Sequence, residues 1–435
     1  MAGLYQRKWL LIRLPVIGLA VLAAGWLWLF VYPIPKSKIT ITTGGADGAY
    51  YRHAQRYAEL LAADGITLEI QTSAGSQQNL ERLRQASEPA DLAFIQGGFG
   101  YLSASLERRD RSRIETLANV DVEAVWLFTR NREIDSLQQL QGLRVAVGPD
   151  GSGTRKIALK LLEQARISPK DMTQSELTGA QAAAAMRQGS LDAVFMVTTA
   201  DSLALQNLLS VLGIHLASLR KSAAMTERNP YLESTLLAQG TLDARMPPRD
   251  ITLLTTSTSL VARDTLHPAL QRLALKAAIE THVAGGLFHR AGEFPSLRRI
   301  DFPTSPQART TLARGMPWLE DVLPFWWAQF AERFLLIVLP LALLAYWLMC
   351  LVPSYLRWTL ESRLNRWYGE LKFIENDLSQ QALSGLDVTR FLQRLDDIDK
   401  AQLSFRCPKD LISHCYMLHQ HVEFVRQRLY RMRGR

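Results

Sequence analysis

The segment Ile39-Thr-Ile-Thr-Thr-Gly-Gly-Ala-Asp-Gly-Ala-Tyr50 combines three different local patterns in twelve residues. It begins with isoleucines that alternate with threonines, which is typical of a β-strand. Three closely spaced glycines follow and predict a tight turn. Apolar residues then recur at helical spacing as far as Ala63. The segment therefore predicts a strand, a glycine-rich turn and a helix in that order.

The same order of patterns occurs a second time, at Leu143-Arg-Val-Ala-Val-Gly-Pro-Asp-Gly-Ser-Gly-Thr154 and the helical stretch after it. Each copy is followed by another helix and a buried strand, which begins at Asp91 in the first copy and at Asp192 in the second. Gly44 precedes Asp91 by 47 residues and Gly148 precedes Asp192 by 44 residues, so the copies match in length. Strands that alternate with helices predict parallel sheets, and therefore two α/β lobes.

Two further extended apolar runs, Glu123–Phe128 and Asp250–Ala262, lie between the copies and after the second copy. They predict a pair of hinge strands. A chain that leaves the first lobe, builds the second and then returns places two lobes on either side of a cleft. Small ligands commonly bind in such clefts.

The net charge of +9 comes mainly from the two ends of the chain, and the middle is nearly neutral. This distribution is typical of the flanks of membrane segments, whereas a nucleic-acid-binding domain would carry its own basic patch. Two long stretches without charge, Leu14–Tyr32 and Phe334–Leu356, predict two membrane spans. A cleaved signal peptide is the alternative for the first stretch, but it lacks an A-x-A-like cleavage site.

Basic residues precede the first span and follow the second, which places both termini in the cytoplasm and the main domain in the periplasm of a bacterial inner membrane. These residues are Arg7, Lys8 and Arg13, then Arg357, Arg363 and Arg366. The predicted segments are 1–13 cytoplasmic, 14–32 transmembrane, 37–128 with about 251–302 as lobe I, 129–250 as lobe II, 303–333 juxtamembrane, 334–352 transmembrane and 353–435 a cytoplasmic helical tail.

The glycine turns and the polar loops near them provide the candidate ligand-binding residues. Free backbone N–H groups at a helix N-terminus suit a carboxylate or a phosphate, although tight packing also explains a single glycine turn. Hydroxyl and amide side chains in the neighbouring loops add hydrogen-bonding groups, although helix capping also explains some of them. The predicted ligand-binding residues are Thr43, Gly45, Asp47, Gly48, Tyr50, Ser76, Asn79, Gln96, Ser152, Gly153 and Thr154.

Catalytic, cofactor and metal sites are not predicted. Neither glycine turn has the sequence of a P-loop or of a dinucleotide-binding loop. The histidines between the spans are scattered along the sequence, and that part of the chain contains no cysteine. The tail residues Cys407, His414, Cys415, His419 and His421 do not have zinc-site spacing, so they predict an ordinary helix surface and core.

As a set, the motifs resemble those of the TAXI family of solute receptors associated with TRAP transporters, and specifically its membrane-anchored members. The motifs that carry the resemblance occur in the same order as in that family; they are Thr43–Tyr51, Gly75–Leu80, Asp91–Gln96, Gly148–Thr154 and Leu323–Trp326. The resemblance implies an α/β periplasmic-binding-protein-like fold of type II, with two lobes and two hinge strands. It also implies that small carboxylates are bound and presented to a membrane permease.

We therefore expect a membrane-anchored receptor that binds a small polar organic solute, such as an amino acid or a carboxylate, without catalysis. The alternative is a ligand sensor or membrane scaffold that acts through its cytoplasmic tail. The expected partners are the solute, a TRAP-type permease and a second copy through the tail, with no nucleic acid. Asp47 stands where the family often has glycine, and a carboxylate there disfavours an anionic ligand.

Overall fold

The computed structural model describes residues 2–31, 33–85, 90–102, 113–243, 245–380, 385–404, 407 and 411–433. Its contacts divide the chain into two units. The central unit is Pro33–Glu332. The terminal unit combines Met1–Tyr32 with Arg333–Arg435. The predicted tail, 353–435, therefore belongs to the terminal unit and is described only in part.

The helices and strands of the described residues are as follows. The helices are α1 Ala2–Trp26, α2 Ala49–Ala63, α3 Ser76–Arg84, α4 Phe99–Leu102, α5 Gly153–Gln164, α6 Gly179–Gln188, α7 Leu203–Leu209, α8 Ser222–Arg228, α9 Pro268–His282, α10 Pro306–Arg314, α11 Trp318–Val322, α12 Phe325–Arg333, α13 Leu339–Gln380, α14 Gly385–Ser404 and α15 Ile412–Arg433. The strands are β1 Lys38–Thr42, β2 Thr67–Gln71, β3 Leu92–Gln96, β4 Ile114–Arg130, β5 Arg144–Ala146, β6 Thr173–Ser175, β7 Ala193–Thr198, β8 Ile214–Leu216, β9 Glu233–Leu237 and β10 Ile251–Arg263.

The central unit is a mixed α/β structure, as the sequence predicts. Its sheet has the order β2-β1-β3-β10-β4-β7-β5-β6, with β8 beside β4 and β9 beside β10. At one end β1 pairs in parallel with β2 and β3, and at the other end β5 pairs in parallel with β6 and β7. Parallel neighbours need a crossover, and α2, α3, α5 and α6 provide it.

Strands β4 and β10 are the longest in the sheet and connect its two ends. They pair with each other in antiparallel fashion from Ile114 opposite Arg263 to Val125 opposite Leu254. One part of β10 also pairs with β3, and the other part of β4 pairs with β7. The two apolar runs predicted as paired strands therefore do pair. We call the parts of the central unit on either side of this strand pair the β1 half and the β5 half.

Each half has its own hydrophobic core. The core of the β1 half contains Tyr57, Phe94 and Leu273 between α2, the sheet and α9. The β5 half contains Trp126 and Phe128, which stack with ring centroids 6.2 Å apart. Burial of side chains of this size stabilises the fold by about 1.5–3 kcal/mol each.

The terminal unit is helical in its described residues. Helices α13, α14 and α15 share a core that includes Ile374, Leu395 and Leu418. The tail cysteines Cys407 and Cys415 form a disulfide, which the sequence did not predict. The tail therefore has a packed core of its own.

One helix in the described part of the chain, Phe325–Leu351, is long and apolar enough to cross a membrane. It begins about nine residues before the predicted span, and Phe325 at its start is buried in the core of the β1 half. The other predicted span contains a shorter apolar helix, Leu14–Phe30. The structure thus supports one candidate span, and a second span is not shown.

Candidate functional site

A cavity of about 220 Å³ lies between the β1 half and the β5 half, at the carboxyl ends of their parallel strands. Ligands of open α/β sheets commonly bind at this edge. The cavity brings together most of the predicted residues. Those that line it are Gly45, Asp47, Gly48, Tyr50, Ser76, Gln96, Ser152, Gly153 and Thr154.

Helix α2 begins at the cavity without a side-chain cap. Its N-cap residue is Gly48, whose N–H donates to the carbonyl of Gly45 at 2.9 Å. A Cβ at position 48 would lie only 3.1 Å from that carbonyl oxygen, so the tight turn favours glycine. The first-turn N–H groups of a helix without a capping side chain can bind the acceptor atoms of a ligand.

Helix α3 also begins at the cavity and contacts the opposite half. Its N-cap Gly75 has a φ of +134° and no side-chain cap. A Cβ there would lie 3.1 Å from the Cα of Ser152, so glycine lets the two backbones approach closely. The N–H of Gln77 donates to the carbonyl of Gly151 at 3.1 Å. This hydrogen bond joins the β1 half to the β5 half.

Gln96, at the end of β3, makes another contact between the halves. Its backbone N–H donates to Ser76 Oγ at 2.9 Å. Its side-chain oxygen lies so near Gly153 that a Cβ at position 153 would overlap it. Ser76 is therefore used to position β3, and Gln96 lies against the first residue of α5.

The two predicted hydroxyl groups at the start of α5 already have backbone partners. Ser152 Oγ accepts from the N–H of Arg155 at 3.1 Å and donates to the carbonyl of Pro149 at 2.7 Å. Thr154 Oγ1 accepts from the N–H of Val197 at 3.1 Å. Ser152 is thus the N-cap of α5, and Thr154 ties the helix to β7.

Two predicted residues, Thr43 and Asn79, are fully buried behind the cavity wall and are not part of its lining. The Asn79 amide donates to the carbonyls of Thr43 and Phe94. Its oxygen accepts from Thr42 Oγ1 at 2.8 Å and from Ser73 Oγ at 2.6 Å. All the strong hydrogen-bonding positions of the amide are occupied, so Asn79 fixes the loops around the cavity.

Asp47 contacts the start of α6 on the opposite wall. Gly179, the first residue of α6, has a φ of +52°, and a Cβ there would overlap Asp47 Oδ2. The N-cap residue Thr178 provides no side-chain cap. Because a carboxylate is favourable at a helix N-terminus, this position suits Asp47 even without a ligand.

An ion pair between Arg52 and Asp201, with 2.9 Å between Nη2 and Oδ2, also links the two halves. Together with the hydrogen bond between Gln77 and Gly151, it shows that the halves are in contact around the cavity. The structure is therefore that of a closed cleft.

Glu123 is a cavity residue that the sequence analysis did not select. It lies on β4, is only 3% exposed and lines the cavity. Burial is the main cause that raises the pKa of Glu123 to about 8. Hydrogen bonds from the Tyr50 and Thr258 hydroxyls lower this pKa, and the charge of Asp121 raises it. Within the described residues, Glu123 Oε2 has no hydrogen-bond partner. The sequence signal that could have indicated Glu123 is an acidic residue at the start of the apolar run Glu123–Phe128.

Asp121, two residues earlier on β4, is surrounded by three histidines that are far apart in sequence. His53 Nε2 lies 3.4 Å from Asp121 Oδ2, and His289 Nε2 lies 3.2 Å from Asp121 Oδ1. Burial alone would raise the pKa of Asp121, but His289 and His53 lower it. Burial lowers the pKa of His282 to about 3. Three histidines that are scattered along the sequence therefore lie around one carboxylate in the folded protein.

The donor atoms of His53, Asp121 and His282 lie within 4.8 Å of one another, a spacing that could admit a metal ion. However, His53 faces Asp121, and His282 Nε2 lies 3.1 Å from the Tyr57 hydroxyl. We interpret the cluster as an ion-pair and hydrogen-bond network that holds α2, β4 and the end of α9 together.

A larger cavity of about 640 Å³ lies in the central unit and is lined by Lys36, Lys38, Asp91, Glu115 and other residues. Lys38 begins β1, so this cavity is at the amino end of that strand. Open α/β sheets bind ligands at the opposite, carboxyl edge. The smaller cavity is therefore the candidate site.

A model of the NMT1-like family matches residues 41–293, which is more than half of the chain. The chain belongs to the NMT1-like family. The matched region of this family member includes both glycine turns, β4 and every residue that lines the candidate cavity.

No curated protein sequence matches this NMT1-like protein. Several solved structures are similar to it. A protein from Bordetella bronchiseptica RB50 is 17% identical, with a TM-score of 0.39 over 65% of this chain and 91% of that chain. The periplasmic aliphatic sulphonate binding protein from Escherichia coli is 18% identical, with a TM-score of 0.36 over 57% of this chain and 73% of that chain. Lipoprotein Tp32 from Treponema pallidum is 14% identical, with a TM-score of 0.34 over 57% of this chain and 94% of that chain. Scores of this size carry no information about the ligand of this chain.

Proposed function

We propose that this protein is a receptor that closes around a small polar organic solute. The observation that supports this proposal is the cavity between the two halves, where α2, α3 and α5 all begin. Its volume of about 220 Å³ corresponds to about seven water molecules, since each water occupies about 30 Å³ in the liquid. A ligand of the size of a small amino acid or carboxylate fits this space.

We propose that the receptor binds its solute without catalysis. The Ser152 hydroxyl donates to a backbone carbonyl, so its proton is not directed at a general base. Thr154 accepts a backbone hydrogen bond and ties α5 to β7. These side chains stabilise the cavity wall, which is the role expected in a binding protein.

We propose that the receptor is of the TRAP-associated TAXI type and delivers its solute to a membrane permease. The order of sequence motifs supports this assignment, together with membership of the NMT1-like family. The predicted boundaries of lobe I (37–128 with about 251–302) and lobe II (129–250) are part of this proposal.

Thermal unfolding of the full-length protein in detergent tests the receptor proposal. Amino acids, dicarboxylates, hydroxy acids and keto acids are added one at a time. A bound solute at 100 times its dissociation constant should stabilise the protein by about 2.7 kcal/mol. As a control, Gly153→Ala should reduce this effect, because its Cβ would overlap Gln96 at the cavity wall. If no solute in these four classes changes the melting temperature, the receptor proposal is wrong.

We propose that two spans anchor the protein, with the central unit in the periplasm and the tail in the cytoplasm. The basic flanks of the two apolar stretches support this topology. The disulfide between Cys407 and Cys415 opposes it, because disulfides persist mainly in oxidising compartments. A reporter that is active only in the cytoplasm should work after Arg435, and a periplasmic reporter should work near Pro247. The opposite result would refute this topology.

A sensor or scaffold that acts through its tail is the second candidate function. The packed core shared by α13, α14 and α15 favours it, because a simple membrane anchor needs no such core. Deletion of residues 385–435 distinguishes the two functions. If the tail only anchors the protein, solute uptake should survive the deletion. If the tail transmits a signal, the deletion should abolish the response to the solute and leave uptake unchanged.

A further inference from the structure

Glu123 is a buried side chain at the cavity, and the described residues provide no hydrogen-bond donor for one of its two carboxyl oxygens. The residue is 97% buried and lines the cavity, and among the described residues Oε2 has no hydrogen-bond partner. A buried polar atom without a partner costs about 1–3 kcal/mol, and more if it is charged. Such an atom at the wall of a cavity indicates a ligand that supplies the missing donor.

The charges around the cavity favour a cationic donor. Asp47 and Glu123 are the only charged side chains among the described residues that line it, and both are acidic. Asp47 lies at the N-terminus of α6, where the helix dipole favours a carboxylate. Glu123 has no corresponding positive group within the cavity lining. A ligand with a positively charged donor group would therefore supply the partner that Glu123 Oε2 lacks.

The helix N-termini at the cavity suit an acceptor group. The N-cap residues of α2 and α3, Gly48 and Gly75, line the cavity, and neither helix has a side-chain cap. Each helix N-terminus carries about half a positive charge, which favours a carboxylate. A ligand that carries both an ammonium group and a carboxylate would match both Glu123 and these helix N-termini.

We propose that Glu123 binds the protonated amine of the solute, so that this receptor selects zwitterionic amino acids over amine-free acids of the same shape. This inference rests on the proposed receptor function and adds the ligand's charge to it. Of the two acidic residues at the cavity, Glu123 is the one that determines specificity, whereas Asp47 contacts the protein.

The surroundings of Glu123 explain why an amine would be selected strongly. Burial raises the pKa of Glu123 to about 8, so the empty cavity holds a largely neutral carboxyl group at pH 7. An ammonium group within hydrogen-bonding distance favours the ionised form and makes a charge-assisted hydrogen bond. A hydroxyl or keto group at the same position gives no comparable compensation for a buried charge.

Matched pairs of solutes that differ in the amine alone test the inference on the full-length protein in detergent. Suitable pairs are L-alanine with L-lactate, L-serine with L-glycerate, and 4-aminobutanoate with 4-hydroxybutanoate. Affinity is measured by titration calorimetry and by the shift in melting temperature. For at least one pair, the amine should bind about 10- to 100-fold more tightly than its hydroxy partner, the range expected for a charge-assisted hydrogen bond.

Glu123→Gln then identifies the residue responsible. It should weaken binding of the preferred amine by about 10- to 100-fold, while binding of the hydroxy partner changes by about twofold or less. Glu115→Gln is the matched control, because Glu115 is on the same strand but does not line the candidate cavity. It should leave both affinities unchanged. The comparison of solutes on the unmodified protein still decides the inference if the Glu123 variant does not fold.

The outcomes separate this inference from the function on which it rests. Tight binding of a hydroxy, keto or dicarboxylic acid with no preference for amines would overturn the amine site and leave the receptor function standing. Equal amine binding by the Glu123→Gln variant would also overturn it. If none of the solutes binds, both the receptor function and the amine site are wrong.

Discussion

Glu123→Gln should make the ligand-free protein less sensitive to pH. Glutamine has nearly the same shape as a protonated glutamate but cannot ionise. The folded protein raises the pKa of Glu123 from 4.5 to about 8. Between these values the unfolded chain loses the proton while the folded protein keeps it. The stability of the natural protein should therefore fall as the pH rises from about 4.5 to about 8, and the variant should lack this contribution.

The size of the effect follows from the width of this pH window. pH 7 lies about 2.5 pH units above the unfolded-state pKa of 4.5. Each pH unit in this range lowers the stability of the natural protein by about 1.36 kcal/mol, so at pH 7 the variant should be about 3 kcal/mol more stable. Unfolding of the central unit, Pro33–Glu332, has an entropy of about 0.6 kcal/mol/K, so 1 kcal/mol shifts its melting temperature by about 1.5 °C. The expected increase is therefore about 5 °C at pH 7 and close to zero at pH 4.5.

Thermal unfolding of the full-length protein, followed by tryptophan fluorescence, measures this difference. Trp126 is fully buried in the central unit and reports on its unfolding. Glu115→Gln is again the control variant, because Glu115 is on the same strand but does not line the candidate cavity. The comparison between variants cancels the titration of Asp121 and His289, which face the same region. A melting-temperature difference that stays constant from pH 4.5 to pH 8 would show that Glu123 is not held neutral by burial.

Three further predictions concern closure and binding. Gly153→Ala should weaken solute binding at least about tenfold, because its methyl group would displace Gln96 at the cavity wall. Calorimetry measures the affinity. Arg52→Ala should weaken binding by less than about fivefold, since Arg52 is half-buried but its partner Asp201 is exposed. The effect should decrease in high salt. The affinity for an amine-bearing solute should rise up to about tenfold per pH unit between pH 5 and pH 8, because binding releases a proton from the buried carboxyl group, and a flat profile would contradict this.

The local part of the fold could be predicted from the sequence because it depends on short-range patterns. Alternating isoleucines gave β1, the glycines at 44 and 148 gave the turns, and helical spacing gave α2 and α5. The way in which β4 and β10 join both ends of one sheet depends on pairing between residues more than 100 positions apart. Hydrophobicity identified the two strands, but it carries no information about their register. The tail disulfide likewise depends on folding that brings Cys407 beside α15.

The candidate site was predictable where one loop supplies several groups, and unpredictable where distant strands meet. The glycine turns identified the starts of α2 and α5, and the polar loop with Ser76 identified the start of α3; all three helix starts line one cavity. Whether a polar side chain faces that cavity depends on its other partners. Asn79 and Ser152 use their hydrogen bonds within the protein. Glu123 becomes notable only because the folded chain buries it without a partner for Oε2.

The two acidic residues of the cavity differ because Asp47 contacts a helix N-terminus, whereas Glu123 Oε2 has no partner among the described residues. Asp47 reaches the N-terminus of α6 when the halves are in contact, so closure itself provides favourable electrostatics for that carboxylate. Glu123 lies on β4, and in this closed structure it is buried without a positive group in the cavity lining. Closure around an empty cavity therefore keeps Glu123 protonated, and closure around an ammonium group allows it to ionise. Because ligand charge and cleft closure each favour the other at this residue, Glu123 should couple recognition of the solute to the closed state.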